Sequence, residues 1–253
     1  MTVSLQALVA AADDILEPSY FSDYCPNGLQ VAGNVDIARI VSGVTASQAL
    51  IEAAIAEKAD AIIVHHGYFW RGEDPCIVGM KRNRLASLLA NNISLIAYHL
   101  PLDAHPVLGN NAQLAKRLGI VVDGGLDPNN PRSVGNVGSL ARAMSATEFA
   151  DHVEAVLGRR PLLELGHKRT IKRIAWCTGG AQSYIDKAAA AGVDAYLSGE
   201  VSEPTILAAR ELGIHYIAAG HHATERYGVQ ALAETLAEKF GLNHRFIDID
   251  NPA

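Results

Sequence analysis

Two adjacent imidazoles, His65 and His66, follow the apolar run 61–64, and a third, His99, follows the apolar run 94–98. Asp103 stands four residues after His99. Toward the other end, His221 and His222 follow the apolar run 215–219, and Glu225 stands four residues beyond His221. Imidazole and carboxylate together, with no thiolate, are the donor set of a divalent transition metal, with Fe, Zn, Mn, Ni and Co all suited. His221 and Glu225, at i and i+4, would share one face of a helix. Successive strand residues point to opposite faces. His65 and His66 therefore serve one ion only if the backbone turns after them, as Gly67 permits, or else they serve two adjacent ions. Asp103, Glu225 or both are placed to bridge such a pair.

The remaining candidates carry plainer readings beside the chemical one. His99 is a ligand, a support for a ligand or a substrate contact. Glu200 is a general base, an acceptor behind a ligand or a solvated carboxylate. A histidine after a strand usually caps or hydrogen-bonds, and His222, His105, His152, His167, His215 and His244 are assigned to that use. Lys81, Arg82 and Arg84 form a basic run at a helix start, which is ordinarily a solvated face. Gly179 and Gly180 before a helix are a weak phosphate-loop signal without the fuller fingerprint.

A formal net charge of -6 leaves no basic face for duplex nucleic acid. A local basic pocket for one phosphorylated small molecule stays compatible with it. Cys25, Cys76 and Cys177 are odd in number, far apart and without a Cys-x-x-Cys pair, which predicts reduced thiols. Residues 1–16 carry Asp13 and Asp14 and no basic leader, so they read as an amphipathic helix. No apolar stretch reaches the roughly 18 residues of a membrane span. A cytoplasmic protein without a membrane segment is expected.

These donors need rigid elements to hold them, and the chain alternates short apolar runs with helical stretches. Strands are predicted at 39–44, 61–64, 94–98, 173–177, 195–198 and 215–219. Helices are predicted at 47–57, 82–91, 110–118, 147–157, 182–191, 203–212 and 229–240. That pattern predicts βαβ units and mainly parallel sheets. The segment from Arg39 overlies the segment from Arg173 without a gap, matching Gln48 with Gln182, Asp60 with Asp194 and Ala61 with Ala195. A duplicated unit is implied. Ligands collect at the carboxyl ends of parallel strands, and there His65 and His66 fall opposite Gly199 and Glu200, while His99 and Asp103 parallel His221 and Glu225. The stretch 122–138, rich in Gly, Pro, Asn and Asp, reads as a loop or linker. It divides the chain into a first α/β domain at 1–127 and a second at 128–253, the two expected to be interlinked.

The segments Asp23-Tyr24-Cys25-Pro26-Asn27-Gly28-Leu29-Gln30-Val31, Gly43-Val44-Thr45-Ala46-Ser47 and His65-His66-Gly67-Tyr68-Phe69-Trp70 carry a resemblance. So do His99-Leu100-Pro101-Leu102-Asp103, Gly109-Asn110-Asn111, Ser198-Gly199-Glu200 and the run from Ala219 to Arg226. Together they resemble the NIF-three-like family, whose bacterial members are often labelled GTP cyclohydrolase 1 type 2 homologs, in its short form. The resemblance implies two three-layer α/β/α domains related by pseudo-twofold symmetry, with a dinuclear metal centre in the cleft between them. Carried over by position, it implies His65, His66, Asp103, His221 and Glu225 as ligands of two divalent ions, and a toroidal homohexamer. It also implies a metal-dependent hydrolase in which activated water attacks a purine-type ring or a related C–N bond; in such a hydrolase Glu200 or His99 is the residue we expect to move protons. The competing reading is a metal-binding protein that stores, delivers or senses an ion without catalysis.

Overall fold

The computed structural model describes residues 1–253. Its first half runs β1 (Val3–Ser4), α1 (Leu5–Leu16), β2 (Gly28–Val31), β3 (Asp36–Ile37), β4 (Arg39–Thr45), α2 (Gln48–Ala56), β5 (Ala61–His66), α3 (Gly79–Ala90), β6 (Ser94–Ala97), α4 (Leu100–Ala104) and α5 (Asn110–Leu118). Then follow β7 (Ile120–Gly125), β8 (Asn136–Met144), α6 (Ala146–Leu157), β9 (Leu162–Glu164), β10 (Ile171–Cys177), α7 (Ile185–Ala190), β11 (Ala195–Ser198), α8 (Glu203–Leu212), β12 (His215–Ala218), α9 (His221–Phe240) and β13 (Asn243–Phe246). No helix is long and apolar enough to cross a membrane.

The chain forms two units, Met1–Leu102 with Gly228–Asp250, and Asp103–Tyr227 with Asn251–Ala253. Neither is one continuous stretch, in contrast to the linear division at 127. The physical reason is β13, which pairs in parallel with β4 and so returns the tail of the chain to the first sheet.

In the first unit the sheet order is β13-β4-β5-β6-β2, parallel throughout except for β2. Val41, Ile62, Val64, Leu95 and Ala97 pack with Leu50, Ile51 and Ala54 of α2 and Leu85 and Leu88 of α3. Side chains alternate along a strand, so Ile40, Ile63 and Ile96 turn to the opposite face, where they are equally buried.

The second unit orders its strands β7-β8-β10-β11-β12-β9. Ile174, Trp176, Leu197 and Ile217 face Leu114, Leu118, Phe149 and Val153 of α5 and α6. Ala175, Cys177, Tyr196 and Tyr216 face Ile185, Ala188 and Ala209 of α7 and α8. Helices therefore cover both faces, the α/β/α layering that burial of near-continuous apolar strands requires. Here the expectation of a mainly parallel sheet needs correction, because three of the five strand pairs are antiparallel. The stretch 122–138 read as a linker is only partly one: 122–125 and 136–138 belong to β7 and β8, which form an antiparallel pair at the sheet edge.

The duplication is visible in atomic detail. Ile40 pairs with Ala61 and Ile174 with Ala195, at matching places in the two sheets. Asp60 accepts the Ala38 and Arg39 amides at 2.8 and 2.9 Å, and Asp194 accepts the Lys172 and Arg173 amides at 3.0 and 2.9 Å. Each aspartate thus ties the start of one inner strand to the start of the next. A carboxylate taking two amides contributes more than a neutral acceptor. Asp60→Ala and Asp194→Ala should each lower the unfolding free energy by about 1–3 kcal/mol in urea titrations. Parental stability in either variant would show that these carboxylates do not hold the strand starts.

Candidate metal centre

In the first unit, β5 ends on His65 and His66, and β6 ends just before Tyr98 and His99. His65 is fully buried, and its Nδ1 lies 2.9 Å from the Tyr98 carbonyl oxygen. A carbonyl only accepts, so Nδ1 carries the proton and Nε2 keeps the lone pair a metal needs. His66 Nδ1 lies 3.2 Å from the Thr45 hydroxyl. The two rings are 4.5 Å apart at an interplanar angle of 45°, although they leave one strand consecutively. Gly67 does not supply a left-handed turn there. Its constraint is space, since a Cβ would lie 2.1 Å from Gln30 Oε1, and Phe69 takes the positive φ of 66° instead.

His99 joins this pair, and one potential ligand atom from each of the three rings falls within 4.8 Å of the others. Its Nδ1 is 2.7 Å from Asp23 Oδ1, and its amide donates to Asn27 Oδ1 at 2.7 Å. Asp23 Oδ2 accepts the Leu100 amide and the Asn27 side chain, each at 2.9 Å. Burial alone would raise the Asp23 pKa, but the hydrogen bonds from His99 and Asn27, the His99 charge and the Tyr24 amide hold it down to about 2. Asp23 is thus a permanent anion that fixes the His99 ring, with Trp70 edge-on at 5.0 Å. Burial and the Asp23 charge push the neighbouring Cys25 thiol up to about 12, and its sulfur lies with Asp23 and His99 in a second group of potential donor atoms within 4.8 Å of one another.

The second unit presents carboxylates and one imidazole. Asp103, 5% exposed, lies on α4 and accepts from Asn110 Nδ2 at 2.8 Å and Thr178 Oγ1 at 3.3 Å. His221 opens α9, and Glu225 one turn later lies with Oε2 3.1 Å from His221 Nε2. Asp103 and Glu225 bring donor oxygens within 4.8 Å of each other. Glu200, just beyond β11, places Oε1 2.8 Å from His221 Nδ1, while its Oε2 takes the Gln182 side chain at 3.2 Å. Glu200 therefore stands behind His221 as an acceptor that orients the ring. Gly179, at φ +68°, makes room for the group: a Cβ would sit 2.1 Å from Glu225 Oε1 and 3.1 Å from His221 Nε2.

The residues fit divalent metal ions. The first unit gathers three imidazoles and the second two carboxylates with one imidazole; in each the rear nitrogen of a histidine, His65 or His221, is engaged by an acceptor, and in the second Gly179 leaves the space. His222 is mostly buried, its amide donating to the Ala253 oxygen at 3.3 Å. His152, His167 and His215 each bond a backbone carbonyl, and His244 meets Ser42. The Duf34/NIF3 (NGG1p interacting factor 3) family model matches residues 3–252.

The chain belongs to the DUF34/NIF3 family. A Pseudomonas aeruginosa protein named GTP cyclohydrolase 1 type 2 homolog is 61% identical over 253 residues, covering all of both chains. The solved structure of protein ybgI, described as of unknown function, is 54% identical with a TM-score of 0.95, covering 99% of this chain and 100% of that one. A crystal structure of a Thermus thermophilus protein is 32% identical with a TM-score of 0.90, at 99% and 100% coverage.

Within this DUF34/NIF3 chain, Asp23, Asn27 and Gly179 are site residues to which residue type and spacing assign no role in a metal centre. Asp23 and Asn27 stand in a motif of the resemblance, yet only their contacts with His99 show their use. His221 has a measurable signature. Burial opposes its protonation, but hydrogen bonds and charges from Glu225 and then Glu200 outweigh it and carry the pKa up to about 9. A ligating nitrogen has to lose that proton. Zinc affinity should therefore rise with pH up to about 9 and level off above it, and uptake at about pH 7.5 should release a proton from this residue. Calorimetry in buffers of different ionisation enthalpy reads both effects, and a pH-independent affinity with no proton release would remove His221 from the ligands. Gly179→Ala should weaken metal binding by about tenfold or more by displacing Glu225.

Proposed function

We propose that the chain is a dinuclear metal-binding protein of the cytoplasm and acts as a metal-dependent hydrolase. His65, His66, Asp103, His221 and Glu225 hold the ions in this reading. When bound, two divalent ions supply a water of lowered pKa and a Lewis acid for the attacked group. Glu200 keeps the His221 ring in the orientation of a ligand. His99, fixed through Nδ1 by Asp23, has Nε2 left to pass a proton between water and a leaving nitrogen.

The observation that carries this reading is the Asp23–His99 pair, whose ring stands within 4.8 Å of His65 and His66 donor atoms. Storing an ion needs ligands and their supports. An imidazole braced by an ionised carboxylate can support a ligand, as at His221, and with Nε2 turned to the site it can also pass a proton, the use this reading gives it. A purine nucleotide is the substrate class suggested by the names of the relatives. Water would add at C8 and open the imidazole ring, and a second water would release that carbon as formate. Assembly into a homohexamer is proposed with this function. The exposed Ile77, Val78 and Met80 of the first unit suit burial between subunits, and light scattering would test it.

Metal-loaded protein should release formate from GTP or hydrolyse another nucleotide or cyclic amide in a panel. Asp23→Asn should retain full metal content while losing about 10²-fold or more in turnover, because the proton-transfer imidazole is no longer held. Metal-replete protein that turns over no member of the panel would leave metal binding without catalysis. Equal turnover in Asp23→Asn would remove His99 from proton transfer.

A further inference from the structure

Two consecutive arginines follow the left-handed Gly158 at the end of α6, and the fold treats them oppositely. Arg160 is exposed and ion-paired with both Asp151 and Glu154 of that helix. Arg159 is half-buried, and its Nη1 is shut off from solvent with no hydrogen-bond partner. Leaving a guanidinium nitrogen buried and unanswered is costly, whereas the same cation facing an oxyanion is favourable.

While Arg159 Nη1 packs against Gly220, the residue also borders a cavity. Arg159, Arg160, Leu162, Glu200 and Val201 are among the residues that border this cavity of about 510 Å³ in the second unit, Arg160 with its guanidinium already committed to Asp151 and Glu154. Glu200 is the acidic side chain among them, and its two oxygens are already directed to His221 and Gln182. Neither oxygen is hydrogen-bonded to Arg159. Gly220, at φ +100°, leaves room for the guanidinium, since a Cβ there would lie 2.7 Å from Arg159 Nη1 and 3.1 Å from its Cδ. Leu162 and Val201 expose apolar surface at the rim.

We infer that Arg159 and this cavity form an oxyanion-binding site for a small molecule that carries a phosphate or carboxylate group and an apolar or aromatic body. The planar fork of Arg159 takes two oxygens of the anion, and the body lies along Leu162 and Val201. The site needs no metal ion for its own logic. It deepens the hydrolase reading, and in that respect rests on it, by placing the charged end of a substrate beside Glu200, the residue that orients His221.

The test is calorimetric titration of the full-length protein with inorganic phosphate and, separately, acetate. The wild type should bind at least one of these anions, and Arg159→Gln should bind it about tenfold or more weakly. Arg159→Lys, which keeps the charge and loses the fork, should fall between them. Metal content and far-UV circular dichroism of both variants should match the wild type, which separates this site from the metal reading. Phosphate binding without acetate binding assigns a phosphate ester, and binding of both assigns the broader oxyanion class. Equal affinity in the wild type and Arg159→Gln overturns the proposal, as does loss of assembly in that variant with anion affinity unchanged, which would give Arg159 to a subunit contact.

Discussion

A neutral imidazole offers one lone pair, and the partner of its other nitrogen decides where that lone pair sits. His65 gives Nδ1 to the Tyr98 carbonyl, and His221 gives Nδ1 to Glu200. These contacts orient both rings, although His221, whose pKa is carried up to about 9, still has a proton to lose when an ion binds. The surrounding fold serves that requirement. Tyr98 comes at the end of β6, one strand over from His65, and Glu200 comes at the end of β11, one strand over from His221. Parallel neighbours bring the carboxyl ends of strands to the same edge, so a residue after one strand naturally meets a residue after the next.

The two units apply one scaffold to different chemistry. In each, an aspartate ties the amino ends of adjacent inner strands, and an antiparallel strand, β2 or β9, closes the same side of the sheet. The carboxyl ends have diverged. The first unit carries three imidazoles and the anion Asp23, while the second carries Asp103, Glu200 and Glu225 around a single imidazole. Additions to each sheet diverge too, with β13 extending the first and the β8–β7 pair extending the second.

Much of the scaffold is legible in the residues. The strand at 195–198 and the helices at 110–118 and 203–212 coincide with β11, α5 and α8, because their apolar periodicity is regular and turn residues bound them. Periodicity starts the last long helix at 229, yet α9 begins at His221. Its first two turns carry His221, His222, Thr224 and Glu225, polar residues committed to the site, with Gly228 before the apolar face resumes, so they lack the pattern that announces a helix. The 122–138 stretch shows the opposite failure. Only 126–135 is a loop; Asp123, Gly124, Gly125, Asn136 and Gly138 lie in β7 and β8, held by backbone hydrogen bonds that composition does not encode.

By itself the sequence determined the alternation of strands and helices, the duplication, and the placing of histidine and carboxylate at strand ends, because each is written in local order and spacing. The tertiary structure decided what those residues do. Asp23 lies 76 residues from His99 along the chain, and Glu200 lies 21 from His221. Arg159 and Arg160 are identical in type, adjacent in sequence and border the same cavity, yet Arg160 is exposed and ion-paired while Arg159 is half-buried with Nη1 shut off from solvent. Proton position, ring orientation and the fate of a charge depend on which atoms come within about 3 Å. Periodicity sets the face on which a side chain emerges, and only packing sets what it meets there.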